Sequence, residues 1–315
     1  MTAQSSSELA DSLADALSIA RYHIVLIAMT GMLTFGWLMS GRYLWGLALI
    51  VGLDWFLINL MNRITDIAED RKNGIPGTER VAGKQRLLTA LSVLLLGGSL
   101  IVTQVLWPAL LWVRLAVQLI GLAYNYRLLP LGRGFARTRF KEMYFFKNFA
   151  SACLFILTCF VYPYLVAGNA LGPGLGLSGA AVVTLAAFFL LFEHTYEILY
   201  DFRDLEGDKA EGIPTYPVVH GPDRARQLLA ALLWLAAGVL LVGLGTGTLG
   251  VREGLMVAAP LIQWLFYRRR LAVGLTSPDC VRLTHVGTAL LVLFLVGTAT
   301  WRHYGLAPNI YIRLG

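Results

Sequence analysis

The sequence predicts an all-α, multi-spanning membrane protein, with about nine transmembrane helices around a central cavity that opens on the cytoplasmic side. Three observations carry the prediction. The 315 residues are 57% hydrophobic and 14% charged, with a mean hydropathy of +0.64, too apolar for an ordinary soluble domain. The apolar residues come in runs of about 20, the length that crosses a bilayer, with short connections between them. Lys and Arg concentrate in alternate loops, as the positive-inside rule requires of a multi-pass chain. That placement also disposes of the nucleic-acid reading that a net charge of +7 invites.

Taken in order, the polar stretch from Ser5 to Arg21 sets Leu9, Leu13, Leu17 and Ala20 on one face. Residues 1–21 therefore read as an amphipathic segment lying on the membrane, ahead of a single transmembrane domain over 22–315. Its acids, Glu8, Asp11 and Asp15, exclude the basic start of a signal peptide. Spans are expected from Tyr22 to Ser40, from Tyr43 into an acidic motif, from Leu87 to Leu106 and from Trp107 to Tyr126, with Pro108 at the turn. A fifth, from Met143 to Val166, ends in an uncharged Gly-rich loop around Gly168 to Gly179. The last four run from Leu177 to Tyr200, Gln227 to Leu249, Glu253 to Tyr267 and Val281 to Trp301.

Basic residues gather after the second span (Arg71, Lys72, Arg80, Lys84, Arg86), the fourth (Arg127, Arg133, Arg137, Arg139, Lys141) and the eighth (Arg268, Arg269, Arg270). This orients the N-terminus and both acidic motifs toward the cytoplasm and the C-terminus outside, in what reads as a bacterial cytoplasmic membrane. Cys153, Cys159 and Cys280 make no metal spacing and read as packing residues.

The chemistry is concentrated in two matching stretches. Asn62-Arg63-Ile64-Thr65-Asp66 leads through Asp70 to Gly74-Ile75-Pro76; Asp201-Phe202-Arg203-Asp204 leads through Asp208 to Gly212-Ile213-Pro214. Both read D-x-x-x-D-x-x-x-G-I-P at the end of an apolar span, where acids are costly and mark function. Residues four apart share a helix face, so Asp66 pairs with Asp70 and Asp204 with Asp208, with Asp201 joining the second face. Two such faces opposed across a cavity repel unless cations lie between them, and hard oxygen ligands suit Mg²⁺, with a diphosphate as the remaining ligand. The alternative is a structural ion-pair network with nearby Arg and Lys. The Gly-Ile-Pro exits read as helix stops.

These motifs, N-x-x-x-D-x-x-x-D after the second span and D-x-x-D-x-x-x-D after the sixth, closely resemble those of the UbiA superfamily of intramembrane prenyltransferases. Tyr124-Asn125-Tyr126 followed by Arg139-Phe140-Lys141 is similar to that family's Tyr and R-x-K segment. The resemblance covers most of the chain. It departs at Arg63, where the family places Asp or Gln, and the basic run after the first motif lacks the wording of the ubiquinone branch.

The resemblance implies transfer of a prenyl group from an isoprenyl diphosphate, by ionisation of its allylic C–O bond, to an acceptor. Asn62, Asp66 and Asp70 would hold one Mg²⁺, and Asp201, Asp204 and Asp208 the other. With Tyr124, the cations Arg139, Lys141 and Lys209 would bind the diphosphate and stabilise charge on it as it leaves. Arg63 would either pair with Asp66 or itself hold a diphosphate oxygen or an acidic acceptor. The implied partners are the donor, an aromatic acceptor in preference to a lipid one, and membrane lipid.

Among further candidates, Tyr196 and Tyr200 share part of the acidic helix's face and are candidates for facing a carbocation, while Tyr126 reads as an interfacial residue. Glu197, one turn before Asp201, is open between a group behind the metal ligands, a base for the acceptor and a helix-terminal charge. His194 reads as a packing residue, and His23, His220, His285 and His303 show no partner in sequence. Glu69 and Glu206 are expected to point away into solvent. Two other functions stand beside the transferase: a terpene cyclase of the same fold, and a transporter with an acidic cation path, which the apolar outer halves of the spans oppose.

Overall fold

The computed structural model describes residues 12–131, 136–167, 177–271, 274–307 and 309–312. Leu9, Arg133 and the Gly-rich loop from Gly168 through residue 176 lie outside the described residues. Among those described, β pairing is confined to Leu129 and Thr138, which exchange backbone hydrogen bonds of 3.0 and 2.8 Å in the loop after the fourth span.

Residues 12–20 form α1. It is followed by α2 (Tyr22–Ser40), α3 (Trp45–Thr65), α4 (Ile67–Lys72), α5 (Thr78–Gly83), α6 (Gln85–Leu106) and α7 (Leu111–Asn125). The fifth span is α8 (Phe146–Ile156) joined by a π-helical stretch, Leu157–Val161, to α9 (Tyr162–Ala167). Pro163, which has no N–H to give to the preceding turn, lies two residues past that stretch. Then come α10 (Gly179–Arg203), α11 (Leu205–Glu211), α12 (Tyr216–His220), α13 (Pro222–Gly245), α14 (Val251–Gly254), α15 (Ala258–Arg270) and α16 (Ser277–His303).

Eight helical segments among the described residues are long and apolar enough to cross a membrane, and the chain is a multi-pass membrane protein. The eighth expected span, which falls outside that set, is present as a composite: α14, a 3-10 turn over Leu255–Val257, and α15. Its first turn is polar. Glu253 accepts from the Gly250 N–H at 3.1 Å, from Arg252 Nε at 2.6 Å and from the Asn309 amide.

The core is built around α2, which packs on α3, on α16 and on the π-helical stretch. Phe35 of α2 stacks on Phe160 at 4.2 Å between ring centroids and meets Phe189 of α10 edge-on at 4.7 Å. α6 lies outermost, with Leu87, Leu94, Ile101 and Val105 exposed as a lipid-facing surface would be. The amphipathic α1 docks over the first motif's exit loop, where Asp15 pairs with Arg80 at 2.8 Å and Ser18 Oγ donates to the Pro76 carbonyl at 2.9 Å.

Within the membrane-spanning layer, Asp54 of α3 is held by Arg114 of α7 through Nε at 3.0 Å and Nη2 at 2.7 Å. Gln118 Nε2 donates to it at 2.7 Å and the Tyr162 hydroxyl at 3.1 Å. Arg114 also donates to Ser99 O and Thr103 Oγ1 of α6, at 2.7 and 2.6 Å. This fully buried network ties α3, α6, α7 and α9 together with every charge paired.

Candidate active site

The two acidic motifs are one local structure used twice. α3 stops at Thr65 and α10 at Arg203, and the next residue leaves helical geometry: Asp66 at φ −105°, ψ 22°, Asp204 at φ −92°, ψ 8°. Both aspartates still donate their N–H back to the preceding turn at 3.0 Å, to Asn62 O and Tyr200 O. The short helices α4 and α11 then carry Asp70 and Asp208. Each helix is followed by a glycine in the left-handed region, Gly74 at φ +61° and Gly212 at φ +68°, where a side chain is penalised. The next N–H, of Ile75 or Ile213, returns to the carbonyl of Asp70 or Asp208 at 2.9 Å in both copies. The two exits also touch. Asn73 lies over Gly207, and Lys72 Nζ pairs with Glu211 at 2.5 Å.

Between the motifs lies a polar cavity of about 110 Å³, lined by Asn62, Asp66, Glu69, Asp70, Tyr124, Lys141, Lys147, Glu197, Asp201, Arg203 and Asp204 among others. Lys141 Nζ reaches Asp66 at 2.7 Å and also pairs with Glu69; Arg139 Nη1 reaches the other Asp66 oxygen at 3.0 Å. Across the cavity Lys147 Nζ donates to Asp201 at 2.8 Å and Asp208 at 3.1 Å, Asn148 Nδ2 donates to Asp201 at 2.7 Å, and Arg203 pairs with Asp204.

The predicted residues divide by position. Asn62, Asp66, Asp70, Tyr124, Lys141, Asp201 and Asp204 line the cavity; Asp208 is buried behind Lys147, and Arg139 reaches in from the side. No three acids or other metal-binding side chains among the described residues converge as a metal shell would, because lysines and arginines hold the carboxylates. Arg63 is fully buried and pairs with Asp70, not Asp66, with Nη2 donating to the Pro76 carbonyl at 2.6 Å. Lys209 points outward to Glu206 at 3.1 Å, because a residue next to Asp208 lies about 100° round the helix.

Glu69 departs from expectation. It is buried in the cavity wall against Lys141, since the break at Asp66 turns α4 relative to α3. Glu206 is solvated. Tyr200 bonds Thr284 at 3.0 Å and carries Arg203 over its ring at 4.6 Å, so one face is already occupied by a cation. Tyr126 lines a separate cavity with Arg127 and Gln85. Glu197 accepts from Ser151 Oγ at 2.7 Å, His194 bonds the Tyr216 hydroxyl at 3.0 Å, and His285 bonds that of Tyr22 at 2.9 Å.

Charge pairing sets the carboxyl groups apart. Burial pushes Asp66 upward, but Lys141 and Arg139 outweigh it and hold it below the usual carboxylate range. Asp204 is likewise held low by Arg203 against its burial. Asp70 is raised, its burial exceeding the pull of Arg21 and Arg63. Asp208 is pushed up to about 7 by burial, with Asp201 and Glu69 adding to it and Lys147 opposing.

Sequence reasoning passed over Lys147, Asn148, Arg203 and Arg21. The signal for Lys147 is a lone lysine in the first turn of an otherwise apolar helix, on the face shared with Ser151. A second cavity of about 350 Å³ adjoins the first along α2 and α10. Ile24, Glu197 and Tyr200 line the polar one; Ile27, Glu193 and Tyr196, about one turn away, line the apolar one with Phe188, Phe192 and Leu291.

The model of the UbiA prenyltransferase family matches residues 138–296, half of the chain, including the second motif. The chain belongs to the UbiA prenyltransferase family. Digeranylgeranylglyceryl phosphate synthase of Methanothermobacter thermautotrophicus is 31% identical over 127 residues, which is 38% of this UbiA chain and 44% of that relative, so the match spans less than half of the curated protein. The solved structure of a UbiA homolog from Archaeoglobus fulgidus bound to GPP and Mg²⁺ has a TM-score of 0.65 at 18% identity, over 90% of this chain and 98% of that one. The same homolog bound to DMAPP and Mg²⁺ gives 0.66 at 18% identity, over 89% and 97%. These structures show that the UbiA fold extends over nearly the whole chain.

Proposed function

We propose that this UbiA chain is an Mg²⁺-dependent prenyltransferase that moves a prenyl group from an isoprenyl diphosphate to a lipid-like acceptor, in one transmembrane domain whose polar cavity faces the cytoplasm. The observation that carries the reading is the pair of matched acidic motifs opposed across one polar cavity, with an apolar cavity beside it. The ligands of the Archaeoglobus fulgidus homolog, GPP, DMAPP and Mg²⁺, support the donor and the metal. The name of the curated synthase supports a lipid acceptor over the aromatic one that the sequence favoured.

The residues present fit a divalent cation. The donors are hard carboxylate and amide oxygens, the cavity wall sets six acids against four bases, and Asp208 Oδ1 is buried without a hydrogen-bond partner. Asn62, Asp66 and Asp70 on one side would hold one, and Asp201, Asp204 and Asp208 on the other would hold a second. Mg²⁺ held there would supply positive charge to the diphosphate oxygens and so favour departure of the leaving group.

The chain's own residues do the rest. Lys141, Lys147, Arg139 and Arg203, now turned to carboxylates, are placed to donate to diphosphate oxygens as charge grows on them. Tyr124, which makes no hydrogen bond to a described residue, presents its ring and hydroxyl at the cavity. Arg21, bonded at 3.3 Å to the neutral Asn59, is the lining cation left to meet an anionic acceptor head group. The polar cavity, at about 110 Å³, is about a third the size of the apolar one, at about 350 Å³, so the hydrocarbon belongs in the apolar cavity and the lipid beyond it.

The test is incubation of the purified protein with isoprenyl diphosphates of several chain lengths, Mg²⁺ and extracted membrane lipid, followed by mass spectrometry. A lipid heavier by one prenyl unit is the expected product. Diphosphate release with a cyclised hydrocarbon and no prenylated lipid would overturn the transferase reading in favour of cyclisation.

A further inference from the structure

The apolar cavity has a polar feature that hydrocarbon binding does not use. Phe188, Phe189 and Phe192 of α10 form one wall, with ring centroids 4.6 Å (188 to 189) and 5.5 Å (188 to 192) apart. Into the same wall α10 sets Glu193 and, three residues on and hence on the same face, Tyr196. Neither side chain makes a hydrogen bond to a described residue; Glu197, one turn on, is another acid, and Arg252, which lines the same cavity, pairs with Glu253 at 2.6 Å. Space for the tyrosine hydroxyl is reserved at Gly287 of α16, where an added Cβ would stand 2.6 Å from it.

A carboxyl and a phenol in an apolar wall forfeit their hydrogen bonds unless the occupant of the cavity supplies them. We infer that this cavity is a binding site for a neutral, mostly hydrocarbon molecule carrying one hydroxyl group, which Glu193 and Tyr196 hold. A hydroxyl both gives and takes a hydrogen bond, so it satisfies the acid and the phenol together; an ammonium group has nothing to offer the tyrosine proton. Glu193 stands two turns, about 12 Å, before Asp201 along α10, so the group it holds is remote from the diphosphate end. The site goes beyond the transferase reading and requires neither metal nor diphosphate.

The experiment uses the purified full chain in detergent, without metal, titrated by equilibrium dialysis with radiolabelled geranylgeraniol and with the matched hydrocarbon lacking the hydroxyl. The alcohol is expected to bind about tenfold tighter. Glu193→Leu and Tyr196→Phe should each bring the alcohol close to the affinity of the hydrocarbon while leaving the hydrocarbon unchanged. Leu291→Trp, which fills the cavity, should weaken both probes. Tyr196→Phe preserves shape and carries the test if Glu193→Leu does not fold. Equal affinities in the wild type, or a preference that survives Tyr196→Phe and Leu291→Trp, overturns the site. A protein inactive as a transferase gives the same titrations, so the two readings fail separately.

Discussion

The side chain of Asn73 lies over Gly207, close enough that a Cβ on the glycine would stand 2.5 Å from its amide. One residue belongs to the exit of the first acidic motif and the other to α11, which carries Asp208, so this contact joins the two motifs.

Gly207→Ala is therefore expected to wedge the motifs apart. Donor turnover should fall by about tenfold or more, since small displacements of positioned groups are costly to rate. Asn73→Gly combined with Gly207→Ala should regain most of it. Steady-state kinetics on the three variants checks this; an active Gly207→Ala single variant would show that the contact does not set the spacing.

Arg63 holds Asp70 and the Pro76 carbonyl from a site with no exposure, so its removal leaves a buried acid without its partner. Arg63→Met should lower stability by about 3 kcal/mol. Thermal unfolding in detergent reads the loss, and Arg63→Met/Asp70→Leu should show a coupling of about 1 kcal/mol or more. A single variant that melts with the wild type would remove Arg63 from the architecture of the site.

The Asp54 and Arg114 network makes a different prediction, because it lies apart from the polar cavity. Asp54→Leu leaves the Arg114 guanidinium unpaired and should cost about 3–5 kcal/mol, while Asp54→Leu/Arg114→Leu should recover much of it. Turnover per folded molecule should stay near wild type in the double variant, as measured on monodisperse fractions. Loss of turnover in well-folded double variant would tie the network to the chemistry.

The spans were legible in the sequence because apolar runs and basic loops respond to one dominant force: the expected first helix, Tyr22 to Ser40, has the bounds observed. The eighth span was harder, since Arg252 and Glu253 open it with a polar turn that a hydropathy reading crosses without seeing. The acidic motifs were legible through their repeated spacing. Of the cations that meet them, Arg63, Arg139 and Lys141 were legible beside the motifs and Lys147 was not. Lys147 is 54 residues from Asp201, and Arg114 is likewise 60 from its own partner Asp54, separations on which helical periodicity says nothing. Glu69 was misplaced because continuous helix numbering fails at Asp66, where the backbone turns.

Both acidic faces are expected to be needed together to act on a diphosphate. This requirement is tested most directly by diphosphate release from an isoprenyl diphosphate in the presence of Mg²⁺, comparing the wild type with Asp66→Asn and Asp208→Asn made separately. Release by the wild type is expected, with none after chelation by EDTA and a loss of about a hundredfold or more in each variant. Near wild-type release by either variant would contradict that requirement.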